Sequence, residues 1–142
     1  MTIAAILGGK GQDVITITGE RSVRDAVTLL SERRIGAVPV IEGGAVAGIF
    51  SERDVIHCLE REGAAALDKP VRDVMTAPAI TVGRGEPVLS AMSLMTQRRI
   101  RHLPVVENGA LLGLVSIGDL VKYRIERIES EANDLRAYIQ SA

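Results

Sequence analysis

Two stretches of the sequence, Arg34-Ile-Gly-Ala-Val-Pro-Val40 and Arg99-Ile-Arg-His-Leu-Pro-Val105, decide the fold because they are copies of one another. Each lies inside a longer repeat: residues 14–58 align without a gap on residues 79–123, and 16 of the 45 aligned positions are identical. Two units are too few for a solenoid, which needs three or more repeats to bury its faces. We therefore expect two subdomains related by a pseudo-twofold axis around a shared core.

Both repeats show the same succession of local patterns. An apolar run at residues 14–17 precedes apolar residues at helical spacing, which predicts a strand followed by a helix. Two further apolar runs flank Glu42-Gly43-Gly44, and their counterparts flank Glu107-Asn108-Gly109, a pattern that favours a hairpin. A second helix is predicted to begin near Ser51 or Ser116. The expected fold class is therefore α/β (α+β), with β-α-β-β-α repeats in residues 1–66 and 67–124.

The C-terminal residues 117–141 are predicted to form one helix, of which residues 125–142 extend beyond the second repeat. Apolar residues recur along it at 4,3,4,3,4 spacing: Val121, Ile125, Ile128, Ala132, Leu135 and Ile139. Such a stripe is compatible with a helix that covers the chain's own core. Because the extension has no counterpart in the first repeat, we favour a homodimer contact.

Composition excludes several classes of function. The net charge of -1 and the 2% aromatic content argue against a nucleic-acid partner. The single Cys58 rules out an internal disulfide and suits a reducing compartment. The sequence predicts no metal site, no membrane span and no targeting segment, so the expected location is cytoplasmic. With no recognisable catalytic set either, we expect a protein that is not an enzyme and has no catalytic cofactor.

The paired repeats resemble a tandem of cystathionine β-synthase (CBS) domains, often called a Bateman module, and in particular the stand-alone pairs. The two opening stretches carry the resemblance together with Gly48-Ile-Phe-Ser-Glu-Arg-Asp54, Gly113-Leu-Val-Ser-Ile-Gly-Asp119 and Val71-Arg-Asp-Val-Met-Thr76. It implies clefts between the repeats that bind adenosine-containing ligands such as AMP, ATP, NAD or S-adenosylmethionine. It also implies a regulatory sensor acting on an unidentified partner protein.

Two Ser-x-x-Asp motifs are the candidate ribose sites. Ser51 with Asp54, and Ser116 with Asp119, place a hydroxyl and a carboxylate where a strand meets a helix. A carboxylate there can accept both hydroxyls of a ribose diol. The same spacing is a capping box that stabilises the helix start, and both roles are compatible.

The candidate phosphate contacts differ between the repeats. Arg101 and His102 stand where the resemblance implies phosphate-binding side chains, whereas the first repeat has Gly36-Ala37, so we expect unequal clefts. Arg53 is a further candidate, and its alternative is an exposed arginine paired with a nearby glutamate. The stretch Gly8-Gly-Lys-Gly11 offers Lys10 to an anion, and its alternative is a flexible turn.

The resemblance implies that the linker supplies a wall for adenine, formed by Thr76, Ala79 and Ile80. The alternative is that these residues simply begin a strand. The first repeat lacks the Met-Thr pair, which leaves its adenine contacts open. Two other functions remain as alternatives to the sensor: a structural dimerisation protein with vestigial clefts, and a nucleotide-using enzyme.

Overall fold

The computed structural model describes residues 1–10 and 13–141. Its helices are α1 (Ile3–Lys10), α2 (Val23–Arg33), α3 (Glu52–Glu62), α4 (Val88–Arg98) and α5 (Ile117–Ser141). Its strands are β1 (Ile17–Thr18), β2 (Ala37–Glu42), β3 (Ala45–Ser51), β4 (His102–Glu107) and β5 (Ala110–Ser116). Two 3₁₀ segments, η1 (Gly63–Asp68) and η2 (Val71–Asp73), connect the repeats. The predicted mixed α/β class is confirmed.

The two hairpins reproduce one another residue by residue. Ala37 pairs with Ser51 in the antiparallel β2–β3 ladder, and His102 pairs with Ser116 in the β4–β5 ladder, 65 positions later. Each ladder carries a register irregularity at the equivalent place, after Val40 and after Val105. The turn at Asn108-Gly109 has φ of 52° and 79°, the left-handed geometry that a two-residue hairpin turn requires. Both hairpin predictions are confirmed.

The first predicted strand of each repeat is much shorter than the sequence indicates. β1 covers only two residues, paired parallel to β2, and its counterpart in the second repeat is a single bridge between Val82 and Val105. At that bridge Val82 N donates to Pro104 O over 3.1 Å. Extending the ladder toward the N-terminus would require an N–H from Pro104, which proline lacks. Pro39 occupies the equivalent position in the first repeat, so both strands begin late.

Each repeat has its own apolar core, so the single shared core expected from the sequence is wrong. The segment that precedes a repeat packs on the core of the other one. The first core contains Ile17, Val23, Ala26, Leu30, Val38, Val40, Phe50, Cys58, Ala66 and Val71. The second contains Ile3, Ile6, Val82, Val88, Ala91, Met95, Leu103, Val105, Val115 and Leu120. Helix α1 therefore belongs to the second core, and the η1–η2 linker belongs to the first. The repeat boundaries at 66 and 124 remain a prediction, since packing crosses them.

The single C-terminal helix is confirmed, because α5 extends from Ile117 to Ser141 without interruption. Most of its apolar stripe is exposed, from 39% at Val121 to 64% at Ile139. The stripe therefore does not cover the chain's own core. No helix within residues 1–10 and 13–141 combines the length and apolarity that a bilayer crossing demands.

Candidate functional site

The first candidate cleft is built around Asp54, the third residue of α3. Its Oδ2 accepts hydrogen bonds from the backbone N of Ser51 at 2.8 Å and from the Ser51 hydroxyl at 3.1 Å. Its Oδ1 accepts from the hydroxyl of Thr76 at 2.8 Å. The structure thus brings together the predicted ribose carboxylate and a predicted adenine-wall residue that lies 22 positions away in sequence. The carboxylate is held in one orientation before any ligand arrives.

Gly48 lets the linker approach the Asp54 cleft closely. A Cβ on Gly48 would lie 2.7 Å from Thr76 O and 2.8 Å from Met75 Sδ, well inside van der Waals contact. Thr76 and Ile49 exchange two backbone hydrogen bonds of 2.9 Å at this place. Close backbone packing is therefore the structural reason for this glycine.

The second cleft is built around Asp119, the third residue of α5. Its Oδ2 accepts from Ser116 N at 2.8 Å, and its own backbone N donates to the Ser116 hydroxyl at 3.1 Å, which completes a capping box. The ammonium of Lys10 forms an ion pair of 2.6 Å with the same Oδ2 and donates to Leu114 O at 2.8 Å. Lys10, at the end of α1, thus reaches a carboxylate 109 positions away.

The glycine-rich stretch around Lys10 is helical where it is described. Gly8, Gly9 and Lys10 form the last turn of α1, so this part is not the flexible turn that the sequence left open. Gly11 lies outside the described residues. Because α1 is anchored through Ile3 and Ile6 in the second core, the Lys10 side chain starts from a fixed point.

The pKa of the Asp119 carboxyl lies below its ordinary value. Partial burial alone would raise this pKa, but the hydrogen bonds and the charge of Lys10, together with the bonds from Ser116, outweigh burial. Asp119 is therefore a carboxylate at neutral pH and carries a compensating cation. The side chains of Asp119 and Lys10 are 27% and 42% exposed, so solvent screens the pair.

His102 lies between the two aspartate-bearing helix starts. A Cβ on Gly36 would lie 3.1 Å from His102 Cε1 and 3.5 Å from the carboxylate of Glu52, which places the three residues together. Burial lowers the pKa of His102 most, and the charges of Lys10 and Arg101 lower it further against the opposing Glu52 and Asp119. At neutral pH His102 is consequently an uncharged imidazole.

The two predicted phosphate arginines have different surroundings. Arg53 Nη1 donates to the carbonyl oxygen of Arg99 over 2.7 Å, so this side chain connects α3 to the end of α4 instead of pairing with a glutamate. Arg99 closes α4 in the left-handed conformation, with φ of 54°, as Arg34 closes α2. Arg101 is exposed, beside His102.

A cavity of about 120 Å³ opens between the repeats beside Lys10. Its lining comes from both halves of the chain: Leu7, Lys10, Asp13, Val14, Ile15, Ile35, Ala37, Gly113 and Leu114. Sequence reasoning missed most of these residues. The repeat alignment could have identified Ile15 as a lining residue, because Ile15 is the counterpart of Ile80, a predicted residue of the adenine wall.

Ala79 and Ile80 are half-buried, and Ile80 packs against the second core. Of the predicted adenine wall, Thr76 contacts Asp54 directly. The placement of Ala79 and Ile80 in the same cleft remains a prediction from the twofold relation, as does that of Val14 and Ile15 in the cleft of Asp119. Two larger grooves lie along α2 and α4, away from both aspartates.

The profile of the CBS domain matches the chain twice, over residues 11–61 and 71–126, and the chain belongs to this family. It is 36% identical over 148 residues to the CBS domain-containing protein CBSX3, mitochondrial, of Arabidopsis thaliana. That alignment covers 98% of this chain and 72% of CBSX3. The family assigned from the two repeats is confirmed.

Solved structures show the same architecture. The CBS-domain protein ATU1752 of Agrobacterium tumefaciens superposes with a TM-score of 0.83 at 40% identity, covering 87% of this chain and 92% of that one. CBSX2, solved in complex with AMP, superposes with a TM-score of 0.74 at 24% identity, covering 88% and 96%. The latter similarity establishes the fold alone.

Proposed function

We propose that this protein is a regulatory sensor that binds an adenosine nucleotide, such as AMP, ATP or NAD, in the clefts between its CBS repeats. The observation that carries the proposal is the pair of oriented carboxylates, Asp54 and Asp119. Each carboxylate lies at a helix start and bonds a residue from outside its own hairpin: Thr76 bonds Asp54, and Lys10 bonds Asp119. The crystal structure of CBSX2 with AMP supports the ligand class.

Ribose recognition follows from the acceptors that remain on the two carboxylates. Each ionised carboxylate offers about four lone-pair sites. Asp54 uses three of these sites to accept from the backbone N of Ser51, the Ser51 hydroxyl and the Thr76 hydroxyl. One hydroxyl of a ribose diol would donate to the remaining site. The other would replace the Ser51 or Thr76 hydroxyl on the carboxylate. Such charge-assisted bonds contribute about 1.5 to 3 kcal/mol each. The hydroxyls of Ser51 and Ser116, which bond Asp54 and the backbone N of Asp119, would lie beside the ribose.

Phosphate recognition would fall to the cations near the pseudo-twofold axis. Lys10 and Arg101 bring positive charge, and His102 contributes a neutral donor because its pKa is lowered. Arg53 donates one of its five guanidinium N–H groups to the Arg99 carbonyl, and its other donors could join these cations. The N-termini of α3 and α5 add backbone donors for an anion. The adenine ring would lie against Thr76, Ala79 and Ile80 in the Asp54 cleft, and against the equivalent Val14 and Ile15 in the other.

We propose a homodimer assembled through α5, since its apolar stripe is exposed along most of the helix. Exposed apolar stripes with heptad-like spacing are typical of helix pairing. Ligand binding at the helix start, where Asp119 lies, would alter the geometry of the same helix that forms the contact. The dimer would pass this change to an unidentified partner protein, which we place in the cytoplasm.

Ligand titration of nucleotide-free protein tests the sensor function. Mass spectrometry of the denatured protein first establishes that no adenosine compound co-purifies. AMP, ATP or NAD should then raise the melting temperature, because a ligand at 100 times its Kd adds about 2.7 kcal/mol of stability. GTP and UTP should have a smaller effect. Indifference to every adenosine ligand would reject the sensor in favour of a structural dimerisation protein.

Variants of the two aspartates test the ribose contacts. Asp54→Asn and Asp119→Asn retain an acceptor for the helix cap but lose the charge. Each should weaken AMP binding at its own cleft by about 2 to 3 kcal/mol, or roughly 30- to 150-fold in Kd. Asp134→Asn, on the exposed part of α5, is the matched control. Turnover of ATP or NAD in the same samples would instead establish the enzyme alternative.

A further inference from the structure

We propose that Lys10 determines the ligand specificity of the second cleft by exchanging partners. Its ammonium holds Oδ2 of the Asp119 carboxylate. A ribose diol that takes both carboxylate oxygens displaces Lys10, so the ligand must offer the ammonium an anionic group in return. The cleft therefore selects adenosine ligands that carry phosphate and discriminates against neutral nucleosides. This inference rests on the proposed function and adds to it the selectivity of one cleft.

The comparison of the repeats shows what is particular about Lys10. In the first repeat, Thr76 N donates to Ile49 O at 2.9 Å and the Thr76 hydroxyl donates to Asp54 at 2.8 Å. In the second repeat, the single ammonium of Lys10 donates to Leu114 O at 2.8 Å and to Asp119 Oδ2 at 2.6 Å. This Oδ2 also accepts from Ser116 N, whereas Thr76 bonds the Asp54 oxygen that the helix cap does not use. One charged and long side chain thus replaces a neutral backbone N–H and a neutral hydroxyl.

This replacement makes the two clefts respond differently to charge. A nucleoside that displaces the Thr76 hydroxyl from Asp54 separates no ion pair. A nucleoside that displaces Lys10 from Asp119 breaks an ion pair and leaves the ammonium without an anion. A phosphate ester compensates for this loss, because the ammonium passes from carboxylate to phosphate.

The cavity beside Lys10 has to widen before it can hold a nucleotide. The cavity beside Lys10 has a volume of about 120 Å³, whereas pockets that hold small-molecule ligands measure about 300 to 1,000 Å³. Leu7 closes one side, where a Cβ on Gly113 would lie 2.6 Å from Leu7 Cδ2. The Lys10 side chain is 42% exposed, so it can swing outward while α1 stays packed. In the proposed exchange, this outward movement releases Asp119 as the ligand enters.

NMR titration with adenosine and with AMP tests the exchange, because backbone amides report each cleft separately. Gly113 lines the second cleft, and Gly48 lies against the linker of the first. In the unaltered protein, Gly113 should report AMP binding at least about 10-fold tighter than adenosine binding. Lys10→Met should weaken AMP and strengthen adenosine by about 2- to 5-fold each, the size expected of a partly exposed ion pair.

Two further variants keep the result interpretable. Lys10→Arg retains the charge and should retain the preference for AMP. Lys122→Met removes the same charge from an exposed site on α5 and should leave both affinities unchanged. Circular dichroism and melting temperature establish that each variant is folded.

The outcomes separate this inference from the proposed function. If Lys10→Met weakened adenosine and AMP equally, Lys10 would have a structural role only and the exchange would be refuted. If AMP shifted Gly48 but not Gly113, the sensor function would stand on the first cleft and the exchange would again be refuted. If neither ligand shifted either amide, the proposed function itself would fail.

Discussion

Replacing Gly48 or Gly113 by alanine should destabilise the protein by clearly different amounts, although the two glycines are repeat counterparts. In both cases the new Cβ lies too close to a neighbour. On Gly48 it would lie 2.7 Å from the backbone oxygen of Thr76, and on Gly113 it would lie 2.6 Å from the terminal methyl of Leu7. The Thr76 oxygen can move only if the hydrogen-bonded linker moves with it, whereas the Leu7 methyl can turn away through a rotamer change.

The magnitudes follow from what must move. Gly48→Ala has to push the linker outward, which adds overpacking of about 1 to 3 kcal/mol to the weakening of the two Thr76–Ile49 bonds. We expect a loss of about 3 kcal/mol, equivalent to roughly 6 to 12 °C in melting temperature. Gly113→Ala needs only a rotamer change of Leu7, so we expect a loss of about 1 kcal/mol or less.

Urea unfolding followed by far-ultraviolet circular dichroism measures both losses, since equal m-values would show that only stability has changed. Gly85→Ala is the matched control, because a Cβ there meets nothing within 4 Å. The change in unfolding free energy of this control gives the effect that alanine has through the unfolded chain alone. Equal destabilisation by the Gly48 and Gly113 variants, or a greater loss at Gly113, would refute the assigned roles of linker and Leu7.

Truncation after Glu129 removes the last part of the apolar stripe and should shift light-scattering masses from dimer toward monomer while the melting of the repeats persists. An unchanged dimer would place the contact elsewhere. Because the pKa of His102 is lowered, the folded state binds fewer protons than the unfolded state. The contribution of His102 to the free energy of unfolding should therefore be fully present above pH 6.5 and be lost as pH falls through the folded pKa. His102→Gln should flatten urea-unfolding stability in that pH window, and an unaltered slope would contradict the assignment.

The elements of this fold were predictable from the sequence wherever a local pattern determines them. The hairpins follow from the glycine and asparagine residues of their turns, which adopt positive φ. Helix α5 follows from an apolar stripe of helical period that continues to Ile139. The capping boxes at Ser51 and Ser116 follow from four-residue motifs. The sequence also contains the reason for the short β1, because Pro39 lacks the N–H that a longer ladder needs. The pattern of apolar residues nevertheless predicts a longer strand.

The partners of the site residues depended on the tertiary structure. Sequence alone determined that the protein has two CBS repeats with an aspartate at each helix start, because these features lie within single repeats. It could not determine that α1 packs on the second core, nor that Lys10 takes the place of Thr76 beside Asp119. That contact joins residues 109 positions apart, and no local period or motif encodes it. Only the packing of one repeat's leading segment against the other repeat brings the ammonium to the carboxylate.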